Sequence, residues 1–243
     1  MEYWEVDFSV FAPVTFEQHI SFKAEKGTVL SSFYSKIDLS RKPFGFNATV
    51  IARASNKYEA KIAARVFFES MLNILSFEIN EPMAIYEDNI KLKTPNYSER
   101  MIINQQDFEN AFIKARLFEN EDKSITNALS WYSKAVNSNN VIDEFLYLYN
   151  VLEILGKKFA ARNEHTSGDG TKNKIFQVFM DYKLEEYRGE MPNWINEMND
   201  IRNLIAHGFS DINYDRIVSI NKKLPILKEK ARDILKKIID SKS

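Results

Sequence analysis

A chain of 243 residues, 44% of them hydrophobic and 13% aromatic, is long enough for one large or two modest cores. Its 33 basic residues are balanced by 34 acidic ones, so whole-molecule charge attracts neither nucleic acid nor membrane, and any RNA contact must come from a local patch. Zero cysteines exclude disulfides and thiolate metal sites, and His19, His165 and His207 are too scattered to form a ligand cluster. No metal and no cofactor is expected, with only an acidic magnesium site left open. No apolar run approaches the ~20 residues of a membrane helix, and the opening Met-Glu-Tyr-Trp-Glu is not a signal sequence. The expected location is the cytoplasm, without membrane contact.

The first part of the chain alternates. Trp4, Val6, Phe8 and Val10 point one way and Glu5, Asp7 and Ser9 the other, as in a half-buried strand. Phe16 to Phe22 carries a weaker signal, and Val29 to Leu39 reads as one or two strands broken by serines. Arg41-Lys42-Pro43 is the turn before a second period-2 run, Phe46, Ala48, Val50 and Ala52. Then the period changes. Ser55-Asn56 caps a helix striped by Ala60, Ala63, Ala64, Phe67, Met71, Ile74 and Leu75, and a last strand spans Met83 to Lys91. Residues 1–92 therefore read as a small α+β module, a mainly antiparallel sheet with one long helix. Arg53, Lys57, Lys61 and Arg65 read as solvated surface.

Residues 93–104, with Thr94-Pro95-Asn96, read as a linker to a helical domain over 105–243. A short helical pattern from Gln105 to Phe118 is expected at the seam. Ile125, Ala128, Leu129, Tyr132 and Val136 mark the next helix, closed by Ser138-Asn139-Asn140. Val141, Phe145, Leu148, Leu152, Leu155 and Phe159 give the cleanest helical period of the chain, and Gly156 is expected to weaken its last turns by ~1 kcal/mol. The glycine-rich polar run from Arg162 to Thr171 is a loop. A short helix through Ile175, Val178, Phe179 and Tyr182 follows, and Pro192 opens the next. The final helix, from Tyr214 to Ile238, should kink or restart at Pro225. The fold class is α+β: the sheet module, then an up-down bundle of four main helices with one insertion.

The chemistry concentrates in Ile201-Arg202-Asn203-Leu204-Ile205-Ala206-His207-Gly208, which follows the helical stripe of Trp194, Ile195, Met198 and Ile201. Arg202 and His207 stand roughly 140° and 7.5 Å apart on a helix, so the helix end, with Gly208 after it, has to bring them together. Arg202 supplies a permanent forked cation, His207 a proton shuttle near neutrality. On spacing alone, a histidine before glycine reads first as a C-terminal cap and only second as a catalytic group. Two further features stand nearby. Lys157, Lys158, Arg162, Lys172 and Lys174 bracket the loop, either as an RNA track or as its solvated rim. Glu153 flanks the apolar stripe of its helix, placed for an ion pair with Arg202 or for acid–base work.

The Arg202-Asn203-x3-His207-Gly208 run, at the end of the third main helix of a bundle, resembles the HEPN family of ribonucleases in its Apea-like branch. The resemblance covers the last half of the chain and leaves residues 1–92 unrecognised. It implies a HEPN-like four-helix bundle and metal-independent endoribonuclease activity. In that chemistry the ribose 2′-hydroxyl attacks phosphorus, His207 moves the proton, Arg202 faces the developing charge, and Asn203 orients the imidazole or holds a phosphate oxygen. It further implies RNA as partner, a homodimer through the motif helix, and a role as toxin or antiviral effector with an antitoxin or trigger protein. The family also contains non-catalytic bundles that bind nucleotides, RNA or proteins, which is the alternative reading.

Overall fold

In the computed structural model, the alternation around Trp4 becomes β1 (Glu2–Phe11), which pairs antiparallel with β5 (Phe46–Ala54), Phe8 facing Ala48 and Val10 facing Phe46. The structure describes residues 2–28, 31–42, 44–86, 101–162, 170–186, 191–206 and 214–242. These divide into two units, Met1–Glu121 and Asp122–Ser243.

In the first unit, β3 (Ile20–Thr28) and β4 (Ser31–Arg41) extend the sheet, and β6 (Ala84–Tyr86) closes the other edge, giving the order β3-β4-β5-β1-β6 with every neighbour antiparallel. The serines of 31–40 do not break β4. The backbone ladder to β3 continues through them, and Ile37 and Leu39 pin the register by facing the core. Val29 and Leu30 lie outside the described residues, as do Pro43 and residues 87–91 of the expected last strand. The turn before β5 is closed by the Lys42 amide donating to the Gly45 carbonyl at 3.2 Å. Gly45 has φ +80, and a Cβ there would lie 2.0 Å from the Val10 carbonyl oxygen, so only glycine fits.

One face of the sheet is apolar because Phe8, Val10, Ile37, Leu39, Ala48 and Val50 all project from it. α1 (Lys57–Ile79) lies on that face, Phe68 stacking on Phe8 with ring centroids 5.4 Å apart. Asn56 caps it by accepting from the Glu59 amide, and Asn80, in the left-handed region at φ 58, ends it.

The expected linker and domain boundary are displaced. Residues 87–100 lie outside the described residues, but Met101–Ile102 forms β7, parallel to β2 (Val14–Thr15). α2 (Gln105–Glu121) then belongs to the first unit, and the division falls at Glu121/Asp122, not within 93–104. The reason is aromatic: Phe108 packs edge-on against Phe46 at 5.5 Å and Phe16 at 6.5 Å, and Phe112 lies 4.5 Å from Phe67.

The second unit is helical: α3 (Lys123–Val136), α4 (Val141–Phe159), α5 (Thr171–Asp181), α6 (Asn193–Ala206) and α7 (Tyr214–Asp240). Asp122 and Asn140 cap α3 and α4 by accepting from the following backbone amides. α4 is the central element, packed against α3, α5, α6 and α7, which fits its unbroken period of buried residues from Phe145 to Leu155. α7 runs continuously through Pro225 without restarting. The proline ring is on the solvent side, while Leu224 and Leu227 hold the adjacent turns in the core. Among the described residues no helix is long and apolar enough to cross a membrane.

Candidate active site

The helix that carries Arg202 is held in an unusual way for this unit. Of α6, only Ile195 and Met198 are buried. Its remaining anchorage combines one aromatic contact with a set of polar ones. At its start, Trp194 packs edge-on against Phe179 at 5.2 Å and donates its indole N–H to Glu185 Oε1 at 3.1 Å. Lys230 of α7 donates to the same carboxylate oxygen at 2.8 Å and lies 5.5 Å from the indole centroid. One turn on, Glu197 pairs with Lys223 of α7, and Lys172 of α5 donates to Asn196 Oδ1 at 3.3 Å.

Among the described residues, two polar contacts then tie α6 to α4. Tyr149 donates its phenolic O–H to Asn199 Oδ1 at 3.1 Å, and Arg202 Nη2 lies 3.2 Å from Glu153 Oε1. Arg202 Nη1 also donates to Asn203 Oδ1 at 3.4 Å. The structure thus joins Arg202, Asn203 and Glu153 into one cluster. The ion pair is neither buried nor free: the side chains are 33% and 24% exposed. Screening at that exposure limits its stabilising effect to about 0–1 kcal/mol. Among the described residues these contacts engage two of the five guanidinium donors.

Burial pushes the Tyr149 hydroxyl well above the usual tyrosine range, and the Glu153 and Asp200 carboxylates push it the same way against the opposing pull of Arg202. Tyr149 therefore stays protonated through the neutral range and remains a donor to Asn199. Sequence reading missed this pair. Its signal was positional: Tyr149 is one helical turn before Glu153, and Asn199 one turn before Asn203.

His207 and Gly208 lie outside the described residues, as does His165. Arg202 is within the last turns of α6, as the periodicity predicts, and the described part of the helix reaches Ala206.

The basic residues around the loop are placed at two helix ends. Lys157 and Lys158 occupy the last turn of α4, with Lys157 one turn after Glu153 on the same helix. Arg162 follows that end, exposed, while Lys172 and Lys174 lie in the first turn of α5. The two ends meet at Gly156. A Cβ on this residue would lie 2.9 Å from the Ile175 backbone nitrogen and 3.0 Å from the Lys174 carbonyl carbon. The glycine expected to weaken α4 is what admits the backbone of α5 against it.

The first unit has an open cleft of about 510 Å³ between Phe16–Ile20 and Ile102–Glu109. Its rim is of exposed side chains. A capping box closes the start of α2: Asn104 Oδ1 accepts from the Asp107 amide at 3.1 Å, and Asp107 Oδ2 from the Asn104 amide at 2.8 Å.

Residues 128–236 match the family model described as methylamine utilization protein MauJ, a span of less than half the chain that lies within the second unit and contains Glu153, Arg202 and Asn203. No curated protein and no solved structure matches the chain significantly. MauJ-like proteins are HEPN-related, so the helical unit of this chain is similar to a HEPN-related family.

Proposed function

We propose that the second unit is a HEPN-type, metal-independent endoribonuclease whose active site is built on Arg202 and His207. The observation that carries this reading is the Arg202 cluster. A guanidinium is paired with Glu153 at 3.2 Å near the end of α6, only partly covered, with donors to spare among the described residues, five residues before the histidine of the motif. Similarity of residues 128–236 to a HEPN-related family supports it.

In the proposed reaction the ribose 2′-oxygen attacks the adjacent phosphorus as its proton passes to His207. The P–O5′ bond breaks, the leaving 5′-oxygen takes a proton, and the product ends in a 2′,3′-cyclic phosphate. Arg202 stabilises charge on the non-bridging oxygens, with Asn203 holding its fork. Lys157, Lys158, Arg162, Lys172 and Lys174 bind the RNA backbone beyond the scissile phosphate. A second copy of the chain supplies the second histidine through a symmetric contact of the motif helix. In support, Ile201, Leu204 and Ile205 are apolar yet only half-buried within the monomer. An antitoxin or trigger protein acting on this unit, in a toxin or antiviral role, belongs to the same reading.

A different function, a non-catalytic module binding a nucleotide, RNA or protein, is favoured by one observation. Glu153 already neutralises much of the Arg202 charge, as in a structural ion pair. The discriminating experiment is incubation of the purified chain with labelled structured and unstructured RNAs, with and without EDTA. Cleavage unaffected by EDTA supports the ribonuclease. Cleavage lost with EDTA and restored by magnesium refutes the mechanism, and no cleavage of any RNA favours the binding module. Light scattering of Leu204→Glu tests the dimer: the variant should be monomeric and inactive, and an unchanged assembly would remove the shared site.

A further inference from the structure

We propose that Tyr149 and Asn199 are the positioning pair that sets where the Arg202 guanidinium stands. Consequences for rate rest on the ribonuclease reading; the geometry does not. Tyr149 and Glu153 are four residues apart on α4, and Asn199 and Arg202 three apart on α6, so each pair shares a helix face and the two cross-helix contacts stack one turn apart. The contacts are unequal in stiffness. Arg202 reaches Glu153 through a long side chain that can follow a shift of its helix by changing rotamers. Tyr149 has a rigid ring, 1% exposed and stacked on Phe145 with centroids 6.3 Å apart, and its hydroxyl has little room to follow anything.

The position of the contact along α6 makes it decisive. The last buried residue of the helix is Met198, and from Asn199 to Ala206 no residue is buried. Asn199 is therefore the final rigidly held point before the turns that present Arg202 and Asn203. Without it, the polar side-chain contact left between those turns and α4, among the described residues, is the adaptable ion pair. Tyr149→Phe keeps the ring and its packing but leaves Asn199 Oδ1 without its donor, which isolates the hydrogen bond from the core.

The test uses the full chain labelled with ¹⁵N-arginine, as wild type, Tyr149→Phe, Asn199→Ala and the double variant. Arg202→Lys assigns the Arg202 side-chain signals. Wild type should show separated, slowly averaging Nη signals for the Glu153-bound guanidinium. Each single variant should merge them, and the double variant should look no worse than either single one. In the RNA assay the same variants should lose kcat by about tenfold to a hundredfold while KM stays within about twofold, because misplacement affects the transition state more than binding. Unchanged Arg202 signals in either folded single variant overturn the proposal, as do effects that add in the double variant. If Tyr149→Phe fails to fold, Asn199→Ala decides alone, since Asn199 is outside the core. Should wild type cleave no RNA, the ribonuclease reading falls while the Arg202 signals still decide the positioning claim.

Discussion

Gly156→Ala is the substitution for which helix propensity and packing give opposite signs, which makes it informative. Replacing glycine by alanine inside a helix ordinarily stabilises by ~1 kcal/mol. Here the new methyl would stand 2.9 Å from the Ile175 nitrogen and 3.0 and 3.1 Å from the Lys174 carbonyl carbon and oxygen. All three are backbone atoms, so relief requires α5 to move as a body. Overpacking of this kind costs typically 1–3 kcal/mol. Subtracting the propensity gain leaves a net destabilisation of about 1 kcal/mol, with about 2 as the upper bound. At a urea slope near 2 kcal/mol/M that lowers the unfolding midpoint by about 0.5 M, well within the precision of a two-probe urea titration. Displacing α5 also moves Lys172 and Lys174, so on the proposed ribonuclease reading RNA affinity should fall in parallel. A variant as stable as the parent, or more so, would refute the argument that close approach of α5 is why residue 156 is glycine.

Burial raises the carboxyl of Glu144 above 4.5, with Lys228 pulling it back. Between its unfolded and folded values the folded chain holds a proton that the unfolded chain has released, so stability declines as pH rises through that window and the cost stays constant above it. Glu144→Gln should therefore melt higher than the parent near about pH 7 and converge with it near about pH 4; a difference independent of pH would exclude this origin. Pro225→Ala should stabilise the fold by about 1–3 kcal/mol and so raise the melting temperature, because a missing backbone donor within α7 is restored at an exposed position; no change would mean that the lost bond is compensated locally.

What the sequence made legible follows from how each signal arises. β1 and β5 declare themselves because alternate residues meet core and solvent, and α1, α3 and α4 because their apolar residues recur at helical spacing; Asn140, read as closing α3, in fact caps α4. β2 and β7 were not legible, since two residues each carry no period. Phe108 and Phe112 announce that one face of α2 is buried but not against which unit, and only the ring contacts with Phe16, Phe46 and Phe67 decide it. At the site, Glu153 was legible as a partner for Arg202 because a carboxylate beside an apolar stripe needs a cation. Tyr149 was not, because an aromatic residue inside a buried period looks like core until its hydroxyl is seen to reach Asn199. Gly156 was read for its propensity alone, since the nearness of α5 is a tertiary fact.

The central claim, that Arg202 and His207 cut RNA, is tested most directly by Arg202→Ala and His207→Ala in one cleavage assay, with thermal melts of the same samples. Arg202→Ala removes a partly exposed ion pair and a long hydrogen bond to Asn203, so its stability should change by about 1 kcal/mol or less. The account predicts that both variants stay folded, lose cleavage by at least about a hundredfold, and that the parent's products carry 2′,3′-cyclic phosphate ends. Full activity in either folded variant, or products ending in free 3′-hydroxyls, would contradict it.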